Sequence, residues 1–257
     1  MNVFGNYARY YDLLYQDKDY ASEAQFIHQL IQSHAPATAS ILELGCGTGK
    51  HAILLSEKGY KLCGIDQSSE MLEQANQRLL QLPKSQAANL EFLPSDIRTV
   101  RVDRTFDAVI SLFHVLSYQT TNQDLQAVFD TARIHLQPGG IFLFDCWYGP
   151  TVLSDRPAVR VKRLEDDAIA VTRLAEPTLY PNANLVQVDY EILIQDKGSG
   201  KTESLHETHK MRYLFRPEID LLFAQNDFEP IAHGEWMTGD QPGWNTWGVY
   251  FVGKLRT

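Results

Sequence analysis

Residues 41–66 read ILELGCGTGKHAILLSEKGYKLCGID, and no other stretch constrains the fold as tightly. An apolar run (Ile41, Leu42, Leu44) stops at Gly45-Cys46-Gly47-Thr48-Gly49. A helix-like segment follows, and a second apolar run ends in Asp66. Strand, glycine turn, helix, strand, acid is how an open α/β sheet builds a nucleoside pocket. The glycines let backbone N–H groups approach a ligand that a Cβ would block. The helix start adds partial positive charge suited to a carboxylate or phosphate. Asp66 lies 21 residues after Gly45, where a second strand tip brings a carboxylate to ribose hydroxyls.

The glycine spacing separates two cofactors. Dinucleotide sites usually read G-x-G-x-x-G, with the third glycine letting the helix sit beneath a pyrophosphate. Here the spacing is G-x-G-x-G, and Lys50 occupies the third dinucleotide position. That argues against a nicotinamide enzyme. An acid, Glu43, stands two residues before the first glycine. The stretch resembles motif I of the class I S-adenosylmethionine-dependent methyltransferases, E/D-x-G-x-G-x-G. Their cofactor carries an ammonium and a carboxylate in place of a pyrophosphate, so an acid before the turn and free N–H groups within it are both useful.

At 257 residues, one domain with a sizeable insertion fits better than two full domains. No run approaches eighteen apolar residues, which speaks against a membrane span. The opening MNVFGNYARYYDLLY lacks the basic start and apolar block of a signal peptide. Three cysteines (Cys46, Cys63 and Cys146) sit in or beside apolar runs without zinc-ligand spacing, so buried inert thiols in a reducing cytoplasm are expected. The net charge of −9 disfavours a nucleic-acid substrate, which needs a basic face. Arg160-Val161-Lys162-Arg163 alternates like a solvated strand edge.

Along the chain, 19–34 has helical apolar spacing. Helices are predicted at 50–58, after Ser68 or Ser69, and at 122–136, with strands at Tyr60–Ile65, Leu90–Leu93, Phe106–Leu112 and Ile141–Asp145. Strand–helix alternation five times over argues for a parallel doubly wound sheet. From Trp147 to Phe215 strands follow without helices, near 158–164, 168–176, 184–194 and 202–214. A helix from Pro217 and a closing antiparallel pair, Phe228–Trp236 and Thr246–Leu255, complete the chain. The expected fold is a doubly wound, mostly parallel seven-stranded sheet with an inserted antiparallel β-subdomain. Residues 1–146 and 216–257 would form the core, with an N-terminal helical lid, and 147–215 the insertion over the acceptor site.

The resemblance to the methyltransferase core runs through the first 145 residues: ILELGCGTG, GIDQSSEML, LPSDI, FDAVISLFHVLSY and LQPGGIFLFD in order. Beyond it, FGNYARYYDLLYQDKDY resembles the N-terminal lid segment of such enzymes. HETHKMRYLFRPEIDLLFAQNDFEP is similar to the β-subdomain of bacterial small-molecule methyltransferases, loosely those that dimethylate the amino group of nucleotide-linked deoxyamino sugars. Strand four ends in Leu112-Phe113-His114, not the N/D-P-P-Y of base-methylating enzymes, which speaks against adenine N6 methylation.

The resemblance implies cofactor contacts at Glu43 (ammonium), Gly45, Cys46 and Gly47 (close backbone), Asp66 (ribose), Gln67, Asp96 and Ile97 (adenine), and Leu112 at the end of strand four. Met71 either packs on the adenine or belongs to its helix's core face, and Tyr11 or Tyr15 either closes over the methionine end or packs on the amphipathic face of an N-terminal helix. His114 and Tyr118 follow strand four, so they are the catalytic candidates. His114 suits proton transfer near neutrality as a base or orienting group, or is a structural histidine hydrogen-bonded to backbone. Asp145, Trp147 and Tyr148 follow strand five and are expected around the acceptor. His206 and His209, three apart on a strand, face opposite ways, so at most one points inward. Trp236, Trp244 and Trp247 flank a loop that either roofs the acceptor or packs on the β-subdomain. No metal is predicted. The activity implied is methyl transfer to a small polar acceptor, an amine or hydroxyl, possibly sugar-borne, by a monomer or homodimer. A cofactor-binding module without turnover is the alternative.

Overall fold

The computed structural model describes residues 10, 13–15 and 17–257. A first helix, α1 (Tyr20–His34), starts where the Asp19 side chain accepts from Ser22 N–H, and it buries Ala24, Ile27, Leu30 and Ile31 on one face. Then come β1 (Ser40–Leu44), α2 (Lys50–Ser56), β2 (Lys61–Asp66), α3 (Ser69–Leu80), a short α4 (Lys84–Ala87), β3 (Leu90–Pro94) and β4 (Phe106–Ser111). Ser68 caps α3 by accepting from Met71 N–H. A 3₁₀ turn at Val115–Tyr118 leads to α5 (Asn122–His135), β5 (Leu136–Tyr148) and α6 (Gly149–Ser154). Four strands follow: β6 (Arg160–Glu165), β7 (Ile169–Tyr180), β8 (Leu185–Asp196) and β9 (Thr202–Leu214). The last elements are α7 (Arg216–Gln225), β10 (Phe228–Glu235) and β11 (Gly248–Leu255).

The seven-stranded sheet has the order β3-β2-β1-β4-β5-β11-β10. The first five strands are parallel; β11 runs antiparallel to β5 and β10 antiparallel to β11. Side-chain alternation divides the core between two faces. Leu42, Leu44, Val109, Phe142 and Phe144 face the side covered by α5 and α7. Ile41, Ala108, Ile110, Ile141 and Leu143 face α1, α2 and α3. Phe129, Phe142, Phe144, Phe223 and Phe228 interlock on the first face, none more than 2% exposed. Truncating such a ring to alanine costs about 3–5 kcal/mol.

Strand five is longer than Ile141–Asp145. Leu136 already pairs with Phe106, and a register break lets the chain pass Pro138-Gly139-Gly140 without leaving the sheet. At the other end β5 outruns β4, whose pairing stops at Ser111↔Phe144. The freed edge at Trp147 and Tyr148 is taken in parallel by Tyr213 and Leu214 of β9. That short junction joins the antiparallel sheet β6–β9 to the parallel one. Register places His209 opposite Val188 and Glu207 opposite Tyr190, on the inner face with Met211. His206, odd-numbered steps away, falls on the outer face. Tyr10, Leu13 and Leu14 pack on Ile169, Val171, Ile192 and Ile194 of this sheet. Among the described residues, no helix is long and apolar enough to cross a membrane.

Candidate active site

A cavity of about 580 Å³ opens along the C-terminal ends of the parallel strands, running from the glycine turn to the inner face of the antiparallel sheet. Its wall near β1 and β2 is mostly backbone. Gly45 has φ +81°, and a Cβ there would lie 2.6 Å from Val115, so glycine is required. Gly47 has φ +52°, and a Cβ on it would meet nothing within 4 Å, which leaves room for a ligand to approach the chain.

The turn is held by β2. The N–H groups of Gly45 and Cys46 donate to Ile65 O (2.8 and 2.9 Å), and that of Gly47 donates to Asp66 Oδ2 (2.8 Å). These three donors are already committed, contrary to the expectation of free N–H groups there. What Gly45 to Gly47 offer is closeness. Asp66 also accepts from Ser68 N–H at Oδ1 (2.9 Å), so backbone from both turns fixes its carboxylate. Each of its oxygens keeps a lone pair for a ligand hydroxyl.

Glu43 is 1% exposed and does not line the cavity; its Oε2 has no hydrogen-bond partner. Burial, aided by the Asp66 charge, raises its pKa from 4.5 to about 8. A buried carboxyl with an unpartnered oxygen beside the glycine turn fits a cationic group, and an ammonium supplies one. Asp96 and Ile97 line the far end, but the Asp96 carboxylate is already clamped by Arg98, with Nε at 3.0 and 3.1 Å and Nη2 at 2.5 Å. Those bonds hold the Asp96 pKa below its ordinary value. Gln67, Met71 and Leu112 line the cavity, as expected. Tyr15 lines it too, edge-on to Phe113 (5.3 Å). Tyr11 lies outside the described residues.

The opposite wall is built from side chains. Phe113 and His114 both have positive φ (+64° and +62°), an uncommon conformation for non-glycine residues and a costly one. Asp145 holds this bend by accepting from His114 N–H at both carboxylate oxygens (3.2 and 3.1 Å). The His114 ring Nδ1 lies 2.6 Å from Asp145 Oδ2, a close polar contact that does not meet hydrogen-bond geometry. Asp145 is itself 1% exposed. It is therefore not an acceptor-pocket residue, as its place after strand five suggested, but sits behind His114. Tyr148 departs in the same way, packing on the core with its N–H on Trp247 O. Strand alternation sends Trp147 into the cavity and its neighbour away.

Tyr118 and His114 both line the cavity, and the antiparallel sheet adds Tyr190, His209 and Met211. Sequence reasoning missed Tyr190 and Met211 and left His209 undecided. The pair His209/Met211 has strand spacing, but only the β5–β9 junction reveals which face turns inward. Tyr20, Lys50 and His51 were missed as well. Lys50 and His51 open α2 directly after the glycines, a position that could have flagged them. Glu23 accepts from His51 (2.8 Å), Lys18 and Trp236 (3.3 Å), tying α1, α2 and the 236–247 loop together. Burial opposes its ionisation, yet these bonds lower its pKa to about 2. None of the three loop tryptophans lines the cavity: Trp236 meets Phe26, Trp247 packs on Trp147, and Trp244 is exposed. Among the described residues, no three His, Cys, Asp or Glu side chains are grouped to hold a metal ion.

Residues 41–140 match the family model for a methyltransferase domain. The chain is 30% identical over 203 residues to the dTDP-3-amino-3,4,6-trideoxy-alpha-D-glucopyranose N,N-dimethyltransferase of Streptomyces venezuelae, covering 78% of this chain and 82% of the relative. The chain belongs to the class I S-adenosylmethionine-dependent methyltransferases. It is thus a methyltransferase enzyme with S-adenosylmethionine as cofactor. Its fold matches a Clostridium acetobutylicum S-adenosylmethionine-dependent methyltransferase (TM-score 0.82, 22% identity, 100% of both chains). It also matches the S-adenosylmethionine-bound CalS10, an amino pentose methyltransferase of Micromonospora echinaspora (TM-score 0.76, 25% identity, 98% of this chain and 96% of that one).

Proposed function

We propose that this methyltransferase acts on the amino group of a small polar acceptor, a nucleotide-linked deoxyamino sugar. One observation carries the reading. A single cavity joins a backbone-lined end, suited to the cofactor, to a side-chain-lined end of aromatic and titratable groups, suited to a polar acceptor. The relatives' acceptors, an amino trideoxyglucose and an amino pentose, support the same class.

In this reading Glu43, buried just behind the cavity wall, meets the cofactor ammonium through water and Asp66 takes its ribose, while Gln67, Met71, Asp96 and Ile97 hold the adenine. The bound sulfonium supplies an activated methyl for in-line displacement. The chain's own part is alignment and exclusion of water, worth up to roughly 7–11 kcal/mol in favourable models. His114, fixed by Asp145, orients the acceptor nitrogen, and Trp147 and Tyr118 bound it. Residues 147–215 form the unit that closes the acceptor side over a core of 1–146 and 216–257.

Incubation with S-adenosylmethionine and dTDP-3-amino-3,4,6-trideoxyglucose, read by mass spectrometry, tests the acceptor. Gain of one or two methyl groups is expected. Methylation of phenols or simple amines with the amino sugar untouched would contradict it.

A further inference from the structure

His209 is the one histidine of the antiparallel sheet that reaches the cavity, and it is engaged at both ring nitrogens. Tyr118 Oη lies 2.8 Å from Nδ1, and Glu207 Oε2 lies 3.2 Å from Nε2. A carboxylate can only accept, so the Nε2 proton belongs on the Glu207 side. In the neutral ring Nδ1 is then the acceptor, and Tyr118 donates to it. The three groups form a directed chain: Tyr118 in the cavity, His209 in the wall, Glu207 beyond. The side chains of His209 and Glu207 are 33% and 23% exposed, so its far end is wetted.

From this geometry we propose that Tyr118, His209 and Glu207 form a relay that removes the acceptor's proton from the cavity. The proposal rests on the amine reading above. An amine arrives largely as R–NH3⁺ and has no lone pair to offer. Its N–H bond breaks with the electron pair staying on nitrogen. The proton passes to the Tyr118 oxygen as the Tyr118 proton passes to His209 Nδ1. The products are R–NH2, a neutral tyrosine and an imidazolium whose Nε2–H stays on Glu207. The imidazolium then loses a proton to water, and exchange of its ring protons with water restores the Nε2–H form before the next transfer. A second methylation needs the same removal again, because each transfer leaves the nitrogen positively charged.

The surroundings favour Tyr118 as a conduit over a standing tyrosinate. Nearly half of its surface is open, but onto a walled cavity, and desolvation raises its pKa, with Tyr15, Tyr190 and Glu207 adding and Arg173 opposing. The groups facing His209 are Tyr118 from the 3₁₀ turn, Glu207 from its own strand and Tyr190 from β8, edge-on at 5.1 Å. Arg173 of β7 stands behind Tyr190, 4.1 Å over its ring, with Tyr10 and Tyr15 beside it. Glu207 is the carboxylate that steadies a positive imidazolium there. His114 lacks such an outlet, because its Nδ1 side meets the buried Asp145 and its open side meets the cavity.

Two measurements decide the matter. Nitrogen-15 NMR of histidine-labelled protein with bound S-adenosylhomocysteine should show neutral His209 as the Nε2–H tautomer, and Glu207→Gln should shrink the share of that tautomer. The Nδ1–H tautomer would overturn the relay, since such a ring cannot take a proton from Tyr118. This readout needs no acceptor. With the amino sugar, His209→Gln and Tyr118→Phe should each lower kcat/KM roughly a hundredfold at pH 7. That loss should shrink to within tenfold above the amine's own pKa, where the acceptor arrives deprotonated. Equal loss at every pH, with cofactor affinity unchanged, would mark a merely structural role and overturn the proposal. If the wild type leaves the amino sugar unmethylated at all pH values, the acceptor reading fails, and the tautomer still decides the relay.

Discussion

The two ends of the cavity are built by different means. At the glycine turn, consecutive residues supply the wall, and backbone bonds to Ile65 and Asp66 hold it. At the acceptor end, His114, Tyr118, Trp147, Tyr190, His209 and Met211 come from four separate stretches of chain. The first end is specified locally and tolerates little change. The second is an assembly that the sheets bring together from distant parts of the chain.

The sharpest way to test this division is Gly47→Val. The residue would sit at positive φ with a branched Cβ in the approach path, so cofactor affinity should fall roughly a hundredfold or more by calorimetry. Retained affinity would show that the turn is not the cofactor wall. On the acceptor side, His114→Ala should lower kcat by roughly a hundredfold through lost alignment, leaving cofactor affinity within about twofold. Asp145→Asn should give a smaller loss, about tenfold, because His114 remains present but less well held. An unaffected kcat in both would remove His114 from the site.

Glu43 tests the cofactor end in a second way. Its pKa in the folded protein, about 8, lies above the ordinary 4.5. The stability this group contributes to the cofactor-free protein is therefore full below pH 4.5 and lost as the pH rises through 8. Glu43→Gln should raise the cofactor-free Tm at pH 8.5 while weakening S-adenosylmethionine about tenfold. If both change in the same direction, Glu43 does not meet the ammonium. Glu23 has the opposite sign. Its pKa of about 2 means its contribution is present above pH 4.5 and lost as the pH falls toward 2. Glu23→Gln should lower Tm at pH 7 by about 5 °C and flatten the acid limb of the stability curve.

The same division decided what could be read from the sequence. Gly45, Gly47, Asp66 and the Ser68 cap are close in the chain and obey local rules, so their elements and the seven-stranded sheet were legible. The strands of the insertion were legible too, by alternation, and so was the opposite facing of His206 and His209. Which face turns inward was not, because it depends on two residue pairs between β5 and β9. Asp145 and Tyr148 were placed in the pocket by proximity to a strand tip. His114 holds Asp145 behind the pocket wall, and alternation turns Tyr148 into the core. Glu23 joins residues far apart in sequence and left no local signal.

The most direct measurement is calorimetric titration of S-adenosylmethionine into two variants, one for each wall. Asp66→Ala should lose at least about tenfold in affinity if, as proposed, its carboxylate meets the ribose. Met211→Ala, on the antiparallel sheet, should stay within about twofold of the wild type. Equal losses in the two would mean that both walls hold the cofactor and that the division described here is wrong.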